Sequence, residues 1–428
     1  MRFENICVLG LGYIGLPTAS TFATHGAQVT GVDVNARVVE MLQGGEIHIH
    51  EPGLRTLVRA ALKSGHLTIQ QQPTESDAFV IAVPTPIRDD KTANLDYVIA
   101  AAESIVPVLR KENLIVLEST SPPRTTVDIV TPILEQSGLR AGEDFHLVYS
   151  PERVLPGKIL QELIENARVV GGVNSTSAQA GKALYQTFVR GEIIVTDATT
   201  AEMVKLMENT YRDINIAVAN EFSRLADRFG VDAWEAIQLA NLHPRVNILQ
   251  PGPGVGGHCI SVDPWFFVQA APDLTDLIHM ARQVNDAQPD FVVSLAERAL
   301  GGLAGKRIAV LGLAYKPNVD DLRESPAIEV AHQLVAGGAQ VNAFEPYKTD
   351  AKIPGLTLVP TLDDAVRDVD AVLLLVAHKP FVSLAPAELA MLTSARVLID
   401  TVNGWSGNEW VDSEFAIYRL GVGKRPVV

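Results

Sequence analysis

Ile6-Cys7-Val8-Leu9-Gly10-Leu11-Gly12-Tyr13-Ile14-Gly15 decides the fold of this chain. A short apolar run passes straight into three glycines spaced G-x-G-x-x-G, and a helical pattern from Leu16 to His25 follows. That order predicts a strand, a tight turn and a helix. Gly10 permits the turn, Gly12 lets backbone approach a pyrophosphate, and Gly15 lets helix and strand pack closely, while the helix N-terminus favours phosphate charge. Cys7, inside the apolar run, reads as core packing.

Working outward, a second apolar run from Gln28 to Val34 contains Asp33, about 20 residues beyond the glycines, where a carboxylate accepts hydrogen bonds from ribose hydroxyls. An acid there repels a 2′-phosphate, so NAD is the expected cofactor rather than NADP. Strands and helices continue to alternate: Phe79 to Val83 before Pro84-Thr85-Pro86, a helix from Tyr97 to Leu109, then Leu114 to Glu118 before Ser119-Thr120. This succession predicts an α/β fold with a doubly wound parallel sheet, whose ligands lie beyond the carboxyl ends of the strands. Thr85, Ser119 and Thr120 occupy such ends. Each alone is a turn or cap residue; their shared location makes them candidates for the nicotinamide half of the cofactor.

The chain has 428 residues, enough for two or three domains, with 47% hydrophobic and 20% charged residues. Nothing in that balance suggests disorder. The first residues lack a signal-peptide pattern, and there is no apolar run of about 18 residues able to cross a membrane. Two cysteines fit a reducing cytosol, so a cytoplasmic location is expected. A formal charge of −15 argues against non-specific nucleic-acid binding. An anionic substrate would need concentrated local cations.

Beyond about Ala201 the pattern becomes one long amphipathic helix reaching toward Gly230. Lys205 and Asn209, four apart, share a face of it. Val204, Leu206 and Met207 surround Lys205, which is either a cation projecting into a cleft or a surface lysine. A helix of this length is also a candidate homodimer contact. The third segment then echoes the first: Arg307-Ile-Ala-Val-Leu-Gly312-Leu-Ala-Tyr315 parallels Ile6 to Tyr13, and Gly338-Ala-Gln-Val341 parallels Gly26-Ala-Gln-Val29, with Glu345 at the acidic position. A second nucleotide-binding fold is expected, without the middle glycine and with Lys316 and Arg323 available to hold a different phosphate ligand. The bland alternative pairs Arg323 with Asp320, Asp321 or Glu324. The expected domains are therefore 1–199, a central helical 200–300, and 301–428, two Rossmann-like halves joined through the long helix.

Between them lies Pro251-Gly-Pro-Gly-Val-Gly256-Gly-His258-Cys259-Ile-Ser-Val-Asp263-Pro264, a glycine-rich loop presenting a thiol four residues before a carboxylate. A thiolate attacks carbonyl carbon, and a carboxylate activates water against the resulting thioester. A small structural cysteine in a turn is the alternative. No His/Cys spacing suggests a metal.

These motifs, in order, with Ser150-Pro151-Glu152-Arg153 and the stretch Lys316 to Pro326, resemble the UDP-sugar 6-dehydrogenase family along essentially the whole chain. The resemblance implies an NAD domain that includes Tyr13 and Ile14 in its turn, a central dimer-forming domain and a C-terminal UDP domain. It implies Cys259 as nucleophile, Lys205 and Asn209 as oxyanion stabilisers, and Asp263 with Glu152 in proton transfer and hydrolysis. It places Arg153, Arg245, Gly256, His258, Lys316 and Arg323 near the sugar nucleotide. His258 before the cysteine and Ile-Ser-Val-Asp263 after it are similar to enzymes oxidising UDP-N-acetylhexosamines, UDP-N-acetyl-D-mannosamine ahead of UDP-N-acetylglucosamine, with UDP-glucose less favoured. Arg124 and Val319 depart from residues common in relatives, often Gly and Thr. A single-oxidation 3-hydroxyacid dehydrogenase also places Lys and Asn on a helix but has no use for Cys259. A non-catalytic NAD sensor would need the first domain alone.

Overall fold

The computed structural model describes residues 3–49, 51–155 and 157–423. The chain divides into two compact units, Met1–Glu208 with Trp265–Pro272, and Asn209–Pro264 with Asp273–Val428.

The first unit is built on β1 (Asn5–Leu9), β2 (Gln28–Val32), β3 (Leu67–Gln70), β4 (Ala78–Ile81), β5 (Leu114–Leu117), β6 (His146–Tyr149), β7 (Arg168–Gly172) and β8 (Ile193–Asp197). Among the described residues they form one sheet in the order β3-β2-β1-β4-β5-β6-β7-β8. Every pairing is parallel except β6 with β7. The order reverses between β1 and β4, so the crevice at their carboxyl ends is the expected ligand position. Ile6 and Val8 of β1 join Leu16, Phe22 and Tyr185 in the core of this unit. Phe22 and Phe188 meet edge to face at 4.9 Å between ring centroids. Cys7 is fully buried, and burial pushes its thiol up to about 12, well beyond a reactive range.

The second unit repeats the plan with β9 (Arg307–Leu311), β10 (Gln340–Phe344), β11 (Thr357–Leu358), β12 (Ala371–Leu374), β13 (Val397–Asp400) and β14 (Ala416–Arg419), all parallel, in the order β11-β10-β9-β12-β13-β14. Ile308 and Val310 enter one core and Ala309 and Leu311 the other. A strand covered on both faces reads as an unbroken apolar run, which is why the period-two signal is missing from this sequence.

The internal echo extends to backbone detail. Gly10 and Gly312 take φ of +88° and +89°, and their N–H groups donate to Val32 and Phe344 carbonyls at 2.8 and 2.9 Å. At Gly10 a side chain is excluded by conformation and by space, since a Cβ would lie 2.6 Å from the Ala82 carbonyl oxygen.

The long helix spans Ala198–Phe229. Asp197 opens it, its carboxylate accepting from the Thr200 N–H at 2.9 Å and the Thr200 hydroxyl at 2.6 Å. Gly230, at φ +71°, ends it in the left-handed conformation. No helix of the described residues is long and apolar enough to cross a membrane.

Candidate active site

In the first unit the glycine turn sits where the sheet order reverses. A Cβ on Gly15 would fall 1.8 Å from the Gly10 carbonyl oxygen, whereas one on Gly12 would meet no protein atom within 4 Å. The two glycines therefore differ: Gly15 is required by packing, and Gly12 keeps backbone open to the crevice. Tyr13 and Ile14 follow, half-buried, at the helix start. Asp33 follows β2 directly and accepts from the Leu11 N–H at 3.1 Å and the Asn35 N–H at 2.9 Å. The carboxylate is thus fixed beside the glycine turn, and the open backbone, helix N-terminus and fixed acid fit an NAD molecule. His48 lies against the same acid; burial holds its imidazole below the ordinary range despite the pull of Asp33. No local pattern in the sequence marks His48. Asp33→Ala is expected to weaken NAD about tenfold or more, the scale of a charge-assisted hydrogen bond, while weakening NADP less. Separate NAD and NADP titrations check this, and equal losses count against it.

Thr85 donates its hydroxyl to the Thr120 carbonyl at 2.7 Å, and Ser119 donates to the Val83 carbonyl at 2.8 Å. These bonds tie the ends of β4 and β5 together. Both hydroxyl protons are engaged, so toward a ligand Thr85 and Ser119 are acceptors. Arg124 takes a left-handed backbone, φ +73°, uncommon for any residue with a Cβ. Buried Glu202 holds it there, accepting from the Arg124 N–H at 2.5 Å, the Thr126 N–H at 2.7 Å and the Thr126 hydroxyl at 2.6 Å. Asp128 binds the Arg124 guanidinium through two oxygens at 2.6 and 2.7 Å. The conformation explains why glycine suits this position.

Lys205 is buried on the long helix, one turn before Asn209. Glu152 follows β6 and accepts from the Arg153 N–H at 2.7 Å and from Arg168 at 2.9 Å. Arg153 is committed to Glu208, at 2.5 Å from one oxygen and 3.1 Å from the other. Glu51, which the sequence reading passed over, is buried and accepts the N–H groups of Gly157 and Ile159, each at 2.8 Å, fixing the chain just beyond Arg153.

In the second unit the cysteine loop is held at both ends. Asp263 opens a helix, Asp263–Ala270, and its N–H donates to the Cys259 carbonyl at 2.8 Å. Its carboxylate, nearly inaccessible, accepts from Asn209 Nδ2 at 2.5 Å. Asn209 has a second N–H on the same nitrogen to offer an oxyanion. Farther along the helix, buried Asn220 accepts the Gly252 N–H at 3.0 Å and donates to Asn285, which in turn donates to Asp213, the partner of buried Arg282 at 2.6 Å. Asn209, Asp213 and Asn220 thus place the loop from one helix. The Cys259 side chain is exposed.

Gly256, a substrate contact in the sequence reading, packs against the Glu324 carbonyl, which a Cβ would approach to 2.2 Å. The Gly257 N–H donates to the Arg323 carbonyl at 3.2 Å, joining the cysteine loop to the stretch after β9. His258 is held below its ordinary range by the surrounding protein and then by the Arg323 charge. Arg323 makes a two-oxygen pair with Asp321, 2.8 and 2.6 Å, the bland alternative raised by the sequence. Lys316 lies 5.6 Å from the Tyr315 ring centroid. Arg245 is exposed on a loop that Asn241 closes through two bonds to Ile248, 2.9 and 2.7 Å. Glu345 differs from Asp33: it is buried and accepts from the Leu313, Ala314 and Tyr347 N–H groups and pairs with His378 at 3.0 Å. Its carboxylate is thus taken up by the turn and by His378.

Residues 4–189 match the NAD binding domain of the UDP-glucose/GDP-mannose dehydrogenase family, residues 199–287 its central domain and residues 309–407 its UDP binding domain. A UDP-N-acetyl-D-mannosamine dehydrogenase of Methanococcus maripaludis is 46% identical over 98% of this chain and 97% of that protein. An NDP-N-acetyl-D-galactosaminuronic acid dehydrogenase of Ralstonia solanacearum is 48% identical over 94% of this chain and 97% of its own. Among solved structures, UDP-D-ManNAc dehydrogenase from Pyrococcus horikoshii superposes with a TM-score of 0.91 at 39% identity, covering 98% of this chain and 99% of that one. The chain belongs to the UDP-glucose/GDP-mannose dehydrogenase family and is an NAD-dependent dehydrogenase of UDP-sugars.

Proposed function

We propose that the protein oxidises the C6 hydroxyl of UDP-N-acetyl-D-mannosamine to the uronic acid through a thioester on Cys259. The observation that carries this reading is the linkage of Asn209 to Asp263 at 2.5 Å and of the Asp263 N–H to the Cys259 carbonyl at 2.8 Å. The amide of Asn209 and the carboxylate of Asp263 are thus hydrogen-bonded beside the backbone of Cys259, an arrangement suited to acyl chemistry. The relatives named for UDP-N-acetyl-D-mannosamine supply the sugar.

NAD, when bound, accepts the hydride in each of two successive oxidations at the same carbon. Cys259 sulfur adds to the intermediate aldehyde as a thiohemiacetal, and its oxidation leaves a thioester. Lys205 and the remaining Asn209 N–H stabilise the oxyanion that develops at each stage. Asp263 orients Asn209 and assists proton transfer, and Glu152 takes the proton of the water that releases the acid. Lys316, Arg323 and Arg245 supply cations for the UDP moiety, with Arg153 and His258 toward the sugar; a diphosphate would compete with Asp321 for Arg323.

The Ralstonia relative, named for an N-acetyl-D-galactosaminuronic acid, favours a second configuration of the same class. Purified protein assayed with NAD should form two NADH per sugar nucleotide consumed, with the highest kcat/KM on UDP-N-acetyl-D-mannosamine among the mannosamine, glucosamine, galactosamine and glucose nucleotides. One NADH per substrate returns the hydroxyacid reading, and a preference for another sugar replaces the substrate.

The quaternary reading is a homodimer through the long helix. Tyr211, Val218, Phe222, Leu225 and Phe229 form a stripe at helical spacing, with Tyr211 69% and Phe229 73% exposed, a large apolar face for a surface helix. Sedimentation at twice the mass of the 46.1 kDa chain is expected, and a monomer refutes it.

A further inference from the structure

Arg168 reaches the ligand end of the first sheet because of one reversal. β7 runs antiparallel to β6, so its first residue, not its last, lies at the carboxyl ends of β5 and β6. There the guanidinium serves two carboxylates at once. Nη2 donates to Glu118 Oε1 at 2.8 Å and to Glu152 Oε2 at 2.9 Å, and Nε donates to the Ser150 hydroxyl at 3.0 Å. Tyr185 stacks on it, 3.9 Å from ring centroid to guanidinium carbon, and donates its hydroxyl to the same Glu118 oxygen at 2.5 Å. The other Glu118 oxygen is buried without a hydrogen-bond partner among the described residues. The charged and titratable groups facing Glu118 are thus Arg168 on β7, Tyr185 at the end of the helix Ser175–Tyr185, and Glu152 after β6.

One cation thus serves two carboxylates, that of buried Glu118 and that of half-buried Glu152. The unpartnered oxygen makes Glu118 the better holder of a proton. Burial raises its carboxyl to about 7, against the opposing pull of Arg168, with Glu152 raising it further and Tyr185 lowering it.

We propose that Glu118 is a positioning residue for Glu152: by competing for the Arg168 guanidinium it sets how readily Glu152 takes a proton from water. The inference rests on the reading of Glu152 as the base in acid release. In that step the water oxygen bonds to the acyl carbon, the C–S bond breaks with its electron pair on Cys259 sulfur, one water proton passes to Glu152 and the other leaves with the acid. While Glu118 is protonated, Arg168 is committed to Glu152. Once Glu118 ionises, the cation is shared between the two carboxylates, Glu152 is held less firmly, and release accelerates.

The test is single-turnover kinetics with UDP-N-acetyl-D-mannosamine and NAD from about pH 5.5 to 9, following NADH and free acid separately. Glu118→Gln, neutral and of the same shape, is expected to slow acid release about tenfold at neutral pH, while NADH formation and KM stay within about twofold. Its release profile should lose one ionisation, and Glu118→Asp should restore it. Tyr185→Phe, which removes a donor to ionised Glu118, should move that ionisation to higher pH. Unchanged release and an unchanged profile in Glu118→Gln, alongside blocked release in Glu152→Gln, overturn the inference alone. Wild-type release in Glu152→Gln overturns the reading of Glu152 beneath it.

Discussion

Cys259→Ser is expected to reduce release of uronic acid by at least about a thousandfold while leaving NAD affinity within about twofold. A serine hydroxyl has no appreciable anionic form at neutral pH, so the covalent adduct fails to accumulate and the second oxidation loses its substrate. The first hydride transfer does not need the thiol. The variant should therefore convert alcohol to aldehyde with no more than one NADH per sugar nucleotide, and trapping with a carbonyl reagent should capture the aldehyde. NAD binding is preserved because the glycine turn and Asp33 belong to β1 and β2 and their loops, far from Cys259 in sequence. Acid formation at the wild-type rate would remove Cys259 from the mechanism and restore the structural-cysteine alternative.

Arg168→Met should destabilise the protein by about 3–5 kcal/mol, the usual consequence of leaving a buried charge without its partner. Arg168 is 5% exposed and bonds both Glu118 and Glu152, so its loss leaves buried Glu118 without its cation and half-buried Glu152 without a partner it shares. Buried Glu118 then favours its protonated form in the folded state still more. Because Glu118 already sits near 7 against an ordinary 4.5, folding takes up protons in this range, and stability is lost as pH rises from about 4.5 through about 7. The variant should show the same trend more steeply. Urea unfolding at about pH 5.5 and about pH 8 measures it; a midpoint unchanged at both values would mean that the cation contributes nothing net at this site.

Much of the architecture was legible in local sequence because it depends on local geometry. The apolar run before Gly10 and its repeat before Gly312 specify two strand-to-helix turns, and a φ near +88° is a demand that a short motif records. The acid following β2 and the acid following β10 were equally visible, yet only tertiary structure separates their uses. Asp33 retains a place at the crevice, while Glu345 is taken by three backbone N–H groups and His378.

The cysteine loop was likewise found by its glycines, but its supports were not. Asn220 and Arg282 carry no local signal, since each works through a partner more than thirty residues away. Arg323 shows how a motif can name a residue without naming its partner: the sequence offered three acids, and backbone geometry chose Asp321. No local pattern in the sequence marks Arg168. Its place between Glu118 and Glu152 follows from β7 running against β6, a reversal decided by the packing of whole strands. Turn chemistry and strand composition are properties of neighbouring residues and are written along the chain; the pairing of buried charges depends on strand order and direction, which only the assembled sheet determines.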